Sequence, residues 1–148
     1  MAQVGQTNVG WPIVVIDDDE LARALVVQHL RKLHLRNPVI EAVDGEHAYE
    51  VLRSLDTAPA LVLLDVHMPH RSGLELLEWM RSEPRFADVP VVMLTVSSAL
   101  DEVDTSYELG VISYLVKPVG YRALDDVLRG GDVPWVLVPG SLDGSRDC

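Results

Sequence analysis

The chain has 148 residues, 48% of them hydrophobic and 24% charged, which predicts one domain whose core needs no disulfide or metal to hold it together. Its formal net charge of −11 and the lack of a basic patch argue against direct binding to a nucleic-acid backbone, so we expect partners that are proteins or metal cations. A single cysteine, Cys148, excludes an internal disulfide, and no stretch resembles a signal peptide or membrane span, which predicts a cytoplasmic protein without membrane contact.

The first predicted strand, Ile13 to Ile16, follows a loose N-terminus over 1–10 and ends on Asp17 and Asp18. Asp19 can cap the next helix, and His29 is expected at the boundary of its buried face. That face is predicted from apolar residues at helical spacing: Ala22, Leu25, Val26, Leu30 and Leu33. A narrower stripe of Leu21, Ala24 and Val27 is expected on the surface, with a partner contact as the less favoured interpretation.

The next two strands are predicted over 39–43, with Glu41 exposed or at an edge, and over 61–64, ending on Asp65. A helix between them carries one apolar face, made of Ala48, Val51, Leu52 and Leu55. After Asp65, Ser72 and Glu75 have the spacing of a capping box, which predicts that a helix begins at residue 74 and runs to about residue 82.

The last two strands are predicted over 89–95, ending on Thr95, and over 111–116, followed by Lys117 and Pro118. A helix is expected between them from about residue 98 to Gly110, and a final helix over 121–128 with Leu124, Val127 and Leu128 inward. Five strand–helix units predict an α/β fold, a flavodoxin-like doubly wound five-stranded parallel sheet of order 2-1-3-4-5 with helices on both faces.

This topology brings Asp17, Asp18, Asp65, Thr95 and Lys117 to the carboxyl edge of neighbouring strands. Closely packed carboxylates raise one another's pKa unless a cation neutralises them, and oxygen ligands suit a small hard ion such as Mg²⁺, with Mn²⁺ as an alternative. A central carboxylate flanked by a hydroxyl and an ammonium can attack phosphorus. The pattern therefore indicates a metal-assisted phosphorylation site that forms an aspartyl phosphate on Asp65.

These motifs resemble the receiver domain of two-component response regulators over about residues 12–129, with Asp65, Thr95 and Lys117 at spacings of 30 and 22 residues. The resemblance implies that a histidine kinase phosphorylates Asp65 and that the metal is held by Asp17, Asp18, Asp65 and the backbone carbonyl of His67. It also implies that Thr95 and Lys117 bind the phosphoryl group, that the Lys117–Pro118 peptide is cis, and that Tyr114 is the switch aromatic that moves with Thr95.

Two residues depart from the usual family pattern or occupy a variable position near Asp65. Val96 stands where the family usually has a smaller residue, and its branched side chain is expected to narrow access to the phosphate. His67 lies two residues after Asp65 and is expected to influence dephosphorylation by water. We predict that these two residues modulate the rates at the site.

The segment 132–148 follows the predicted receiver domain, 11–131, and contains the apolar run Val133 to Val138. Together with 106–110 and 113–119, it is similar to single-domain regulators associated with bacterial phytochrome-type kinases. An apolar stretch beyond a finished fold needs a surface to pack on, so we predict a homodimer in which Trp135, Val136 and Leu137 contact the partner. The alternative is that the segment folds back on its own chain.

The leading hypothesis is a stand-alone response regulator without an output domain, which assists its own phosphotransfer and dephosphorylation and signals through protein contacts. A haloacid-dehalogenase-type phosphatase using Asp17, Asp18 and Asp19 is one alternative, but it leaves Asp65 unexplained. A phosphate-independent scaffold is another. His67 and His70 could suggest a transition-metal site, although two imidazoles on one loop support it weakly.

Overall fold

A five-stranded parallel sheet forms the centre of the computed structural model, which describes residues 11–68, 71–96, 108–134 and 136. Its strands are β1 (Ile13–Ile16), β2 (Val39–Ala42), β3 (Leu61–Asp65), β4 (Val91–Thr95) and β5 (Ser113–Val116), in the order β2-β1-β3-β4-β5. The predicted fold and strand order are confirmed. All pairs are parallel, so the carboxyl ends of the five strands share one edge of the sheet.

The described helices are α1 (Glu20–Lys32), α2 (Gly45–Ser54), α3 (Gly73–Ser82) and α4 (Tyr121–Arg129). Asp19 caps α1 by accepting from two backbone amides, and Ser72 with Glu75 forms the predicted capping box at the start of α3. Most of the helix expected before Gly110 lies outside the described residues. None of the helices in the described ranges is both long enough and apolar enough to cross a membrane.

Both β4 and β5 start two residues later than predicted. The amide of Val89 donates to the carbonyl of Phe86 in a turn, so the ladder begins only where Val91 pairs with Val62 of β3. The amide of Ile112 still bonds to the carbonyl of Val91, and β5 follows at Ser113. The apolar runs were longer than the strands because turn residues next to a sheet can also be buried.

Side chains of the sheet alternate between two apolar layers. Helices α1 and α4 cover the face that carries Ile13 and Val15, whereas α2 and α3 cover the face that carries Val14 and Ile16. Val27 of α1 is buried in the first layer, so its predicted place in a surface stripe is wrong. Its neighbours Leu21 and Ala24 are exposed, as predicted.

The segment after α4 contributes to the layer between the sheet and the helices α1 and α4. Val133 and Val136 are 2% and 7% exposed there, and the amide of Val136 donates to the carbonyl of Val133 at 3.1 Å. These two residues therefore pack on their own chain, which is the fold-back arrangement for this part of the segment. Trp135 and Leu137, the other predicted dimer residues, lie outside the described residues.

Candidate functional site

Four polar side chains predicted from the sequence meet at the carboxyl edge of the sheet. Asp17 follows β1, Asp65 and Thr95 are the last residues of β3 and β4, and Lys117 follows β5. Asp17, Asp65 and Thr95 are buried, although their side chains are polar. Such groups are stable in the interior only when paired, so their mutual contacts determine what the site can do.

Three carboxylates form a cluster at this edge. Asp17, Asp18 and Asp65 each present an oxygen, and these oxygens all lie within 4.8 Å of one another. Asp17 Oδ1 accepts from the amide of Asp19 at 2.9 Å, whereas Asp65 Oδ1 accepts from the amide of His67 at 3.3 Å. Asp18 is exposed, so the cluster is open to solvent on its side.

Lys117 links the two buried acids. Its Nζ lies 2.8 Å from Asp17 Oδ2 and 3.2 Å from Asp65 Oδ1. Its backbone amide donates to the carbonyl of Thr95 at 2.7 Å, and the Lys117–Pro118 peptide is cis. Burial lowers the pKa of Lys117, but the hydrogen bond to Asp17 and the charges of both acids outweigh burial and raise it overall, so the ammonium stays charged.

One lysine does not balance three carboxylates. Burial, followed by the nearby charge of Asp17, raises the pKa of Asp65 to about 7, although the ammonium of Lys117 opposes this shift. A set of oxygen donors with excess negative charge fits a small divalent cation such as Mg²⁺. Asp17, Asp18 and Asp65 are the side chains that could hold it.

Gly73 allows α3 to begin directly behind Asp65. A Cβ at this position would lie 2.1 Å from the backbone oxygen of Asp65, so even alanine would force the two segments apart. The amide of Gly73 also donates to the carbonyl of Val66 at 2.9 Å. The glycine therefore fixes the path of the backbone that leaves β3 immediately after the central acid.

Arg23 contacts the backbone of the acidic cluster and was not predicted as a site residue from the sequence. Its Nη1 donates to the carbonyl of Asp17 at 2.8 Å, and its Nε donates to Glu41 Oε1 on β2 at 2.9 Å. The side chain is only 12% exposed. Its position four residues after the N-cap Asp19 was a weak signal, because an arginine there normally indicates a solvated helix face.

The other predicted site residues lie around this cluster. His67 is exposed and Tyr114 is half-buried against the layer covered by α2 and α3. The acidic cluster found among the described residues includes no histidine, and His70 falls outside them. The structure therefore places His67 beside Asp65 and Tyr114 within β5, opposite Met93 of β4, and it brings only the acids, Thr95 and Lys117 together.

An apolar groove runs beside the site. Leu21 and Val96 at its rim are 82% and 70% exposed, and it passes over Leu25 and Pro118 to Lys117. Val96 thus points largely into solvent instead of filling the space around Asp65. The groove connects an exposed part of α1 with the lysine that contacts the central acid.

Comparison with known proteins agrees with this geometry. A family model described as the response regulator receiver domain matches residues 13–129. A chemotaxis protein CheY homolog of Campylobacter jejuni is 31% identical over 135 residues, which cover 91% of this chain and 98% of the relative.

Solved structures give the same result. The bacteriophytochrome response regulator RtBRR is 34% identical, with a TM-score of 0.76 over 93% of this chain and 90% of its own. The Mn²⁺-bound form of response regulator Rcp1 is 28% identical, with a TM-score of 0.71 over 87% of this chain and 99% of its own. The chain therefore belongs to the receiver-domain family of response regulators.

Proposed function

We propose that the protein accepts a phosphoryl group from a histidine kinase on Asp65 and signals through altered contacts with other proteins. One observation carries the proposal: the buried carboxylate of Asp65 lies 3.2 Å from the ammonium of Lys117 and within a cluster of two further acids. A purely structural ion pair would need one acid for one lysine. The additional carboxylates are explained by a bound divalent cation.

In the proposed reaction a carboxylate oxygen of Asp65 attacks the phosphorus of a phosphohistidine. An oxygen–phosphorus bond forms, the nitrogen–phosphorus bond breaks, and the leaving imidazole takes a proton from the solvent. Lys117 stabilises the negative charge of the transferring group, and Thr95 donates a hydrogen bond to it. Bound Mg²⁺ or Mn²⁺ would add positive charge, held by Asp17, Asp18, Asp65 and the backbone carbonyl of His67.

We further propose that the site assists hydrolysis of its own aspartyl phosphate. His67 and Val96 modulate these rates, since both are exposed and close to the site in sequence. Phosphorylation draws Thr95 toward the new charge, and the half-buried Tyr114 on the neighbouring strand changes its packing in response. This couples Asp65 to the surface formed by β5 and the elements beside it.

The groove between Leu21, Leu25, Val96 and Pro118 supports a kinase as the phosphodonor. It is apolar, exposed and ends at Lys117, so a helix docked in it would present a phosphohistidine to Asp65. The similarity to RtBRR favours a phytochrome-type kinase as partner. We place both proteins in the cytoplasm, where a chain whose only cysteine is Cys148 needs no oxidising environment.

The proposal is tested by incubating the protein with phosphoramidate and Mg²⁺ and measuring its intact mass. We expect a gain of one phosphoryl group in the wild type, none in Asp65→Asn, and none when EDTA removes the metal. Asp56→Asn is a matched control, because Asp56 is exposed and belongs to no part of the site.

Borohydride trapping then identifies the labelled residue. Label on Asp65 supports a receiver, whereas label on Asp17 would indicate a haloacid-dehalogenase-type phosphatase. No mass gain in the wild type would favour a phosphate-independent scaffold. Transfer from purified phytochrome-type kinases, compared with other histidine kinases, tests the partner.

We also propose a homodimer formed through the segment after α4. Because Val136 is buried against its own chain, the dimer contact falls to Trp135 and Leu137. Analytical ultracentrifugation of Trp135→Ala and Leu137→Ala should show monomers at concentrations where the wild type is dimeric. Val136→Ala should instead lower the free energy of unfolding, and a wild-type monomer would refute the dimer.

A further inference from the structure

His29 makes a long-range hydrogen bond that the proposed reaction does not use. It lies on α1, is 8% exposed, and its Nε2 is 3.0 Å from the backbone oxygen of Val119, 90 residues further along the chain. A carbonyl oxygen can only accept, so Nε2 carries the proton. The other ring nitrogen, Nδ1, is buried without a hydrogen-bond partner among the described residues. Among the described residues, the hydrogen bond to Val119 is therefore the one that the ring nitrogens make.

Val119 belongs to the short connection from β5 to α4, which also carries Lys117. At its start, the amide of Lys117 donates to the carbonyl of Thr95. At its end, Gly120 is the N-cap of α4 and supplies no side-chain hydrogen bond. Between these points the connection is fixed by Val119, whose side chain is buried and whose carbonyl accepts from His29.

The His29 ring is itself held in place. It packs edge-on against Tyr121 with a centroid distance of 5.7 Å and an interplanar angle of 70°. Tyr121 is the first residue of α4, so His29 joins α1 to both the connection and the helix that follows. Through these contacts α1 is joined to the backbone two residues after Lys117.

We propose that His29 is a positioning residue: its hydrogen bond to Val119 holds the backbone that places the Lys117 ammonium between Asp17 and Asp65. The consequence for reaction rate rests on the proposed phosphorylation of Asp65. The geometric part does not, because the contacts of Lys117 with the two acids exist in the unphosphorylated protein. Loss of the hydrogen bond frees the connection and lets the ammonium move away from the transferring group.

The test compares His29→Gln with His29→Leu. Glutamine can present an N–H donor at a similar distance from the backbone, whereas leucine fills similar space without a donor and leaves the Val119 carbonyl unsatisfied. With phosphoramidate and Mg²⁺, we expect the phosphorylation rate constant at saturating donor to fall about five- to tenfold in His29→Leu. The half-saturating donor concentration should change little, and His29→Gln should stay within about twofold of the wild type.

Asn37→Leu is the matched control for loss of a buried hydrogen bond. Asn37 Nδ2 donates to the carbonyl of Trp11 at 2.9 Å, at the opposite edge of the sheet. This variant should lose stability to urea and keep the wild-type rate constant. Equal rate constants in the wild type and both His29 variants would overturn the proposal. Equal slowing of phosphorylation in the two variants would also overturn it, because the rate would then depend on the imidazole ring and not on its hydrogen-bond donor.

NMR separates this proposal from the proposed function. Without phosphodonor or metal, the amide signals of Lys117 and Val119 should shift in His29→Leu and remain near their wild-type positions in His29→Gln. If the wild type is not phosphorylated, the proposed phosphorylation of Asp65 is wrong, and the NMR comparison alone then tests the positioning role of His29. Identical amide signals in all three proteins would overturn that role. Should His29→Leu not fold, His29→Met replaces it in both measurements.

Discussion

Two partly buried cations lie at opposite ends of the sheet, and their surroundings differ. At the carboxyl edge, Lys117 contacts the carboxylates of Asp17 and Asp65. At the amino edge, Arg81 at the end of α3 donates to backbone carbonyls, with Nε 2.6 Å from Leu109 O and Nη1 2.9 Å from Val89 O. Nη1 also reaches the carbonyls of Phe86 and Ala87, both at 3.2 Å.

The difference separates a structural charge from a reactive one. Burial lowers the pKa of Arg81, opposed by the charge of Asp88, but its hydrogen bonds go to neutral dipoles that the fold holds in place. Arg81 thereby joins the ends of the loops that lead into β4 and β5. Lys117 instead lies beside three carboxylates, an excess of negative charge that is consistent with the binding of a divalent cation.

The largest effect is expected from removing the structural cation. Arg81→Met leaves several carbonyls without their donor, so we expect a loss of about 3 kcal/mol in the free energy of unfolding, measured with urea. Arg81→Lys should recover only part of it, because an ammonium cannot reproduce the planar fork. Phosphorylation per folded molecule should remain unchanged in both. A loss below about 1 kcal/mol would mean that water replaces the guanidinium.

These two cations also show what the sequence could predict. The sheet order and the residues at its reactive edge followed from apolar runs that each end on a polar residue, because every strand of a parallel sheet delivers its last residue to the same edge. The capping box at Ser72 and Glu75 followed from local spacing alone. Lys117 was predicted as a site residue because it directly follows an apolar strand, as the acids at the other strand ends do.

Arg81, Arg23 and His29 were not predicted as positioning groups, for a common physical reason. Each side chain donates a hydrogen bond to a backbone carbonyl. Because every residue has a backbone carbonyl, the residue type of the acceptor gives no indication of the bond in the sequence. Periodicity also failed for Val27, which is buried in the apolar layer that also contains residues of α4 and Val133. The spacing of apolar residues within a helix does not indicate which of them a later part of the chain will bury.

A smaller effect of opposite sign is expected from the reactive cluster. Asp65→Asn removes one of two buried carboxylates that compete for Lys117, so at pH 8 without metal it should raise the free energy of unfolding by about 1–2 kcal/mol. Saturating Mg²⁺ should stabilise the wild type more than the variant and so reduce or reverse the difference. Asp56→Asn, at an exposed position, should change neither value. If Asp65→Asn were less stable than the wild type in EDTA, the carboxylate of Asp65 would stabilise the metal-free fold, as the guanidinium of Arg81 is expected to do.

That difference is also expected to depend on pH, because it arises from the raised pKa of Asp65. The pKa of Asp65 is raised from 3.8 in the unfolded chain to about 7 in the folded protein, so between these values the folded state binds the extra proton. The contribution of Asp65 to the free energy of unfolding of the metal-free wild type therefore falls as pH rises through the window from 3.8 to about 7. Asp65→Asn lacks this titrating group and should not show the fall. The pKa of Lys117 is raised, so its contribution is fully present below the unfolded value of 10.5 and constant across the window.

Urea unfolding in EDTA at several pH values between 4 and 8 should consequently show the advantage of Asp65→Asn growing up to about pH 7 and then levelling off. The Arg81→Met loss should be nearly the same throughout, since its partners are carbonyls that do not titrate. A constant advantage for Asp65→Asn would mean that Lys117 already balances the cluster. In that case excess charge would no longer distinguish the reactive edge from the structural one.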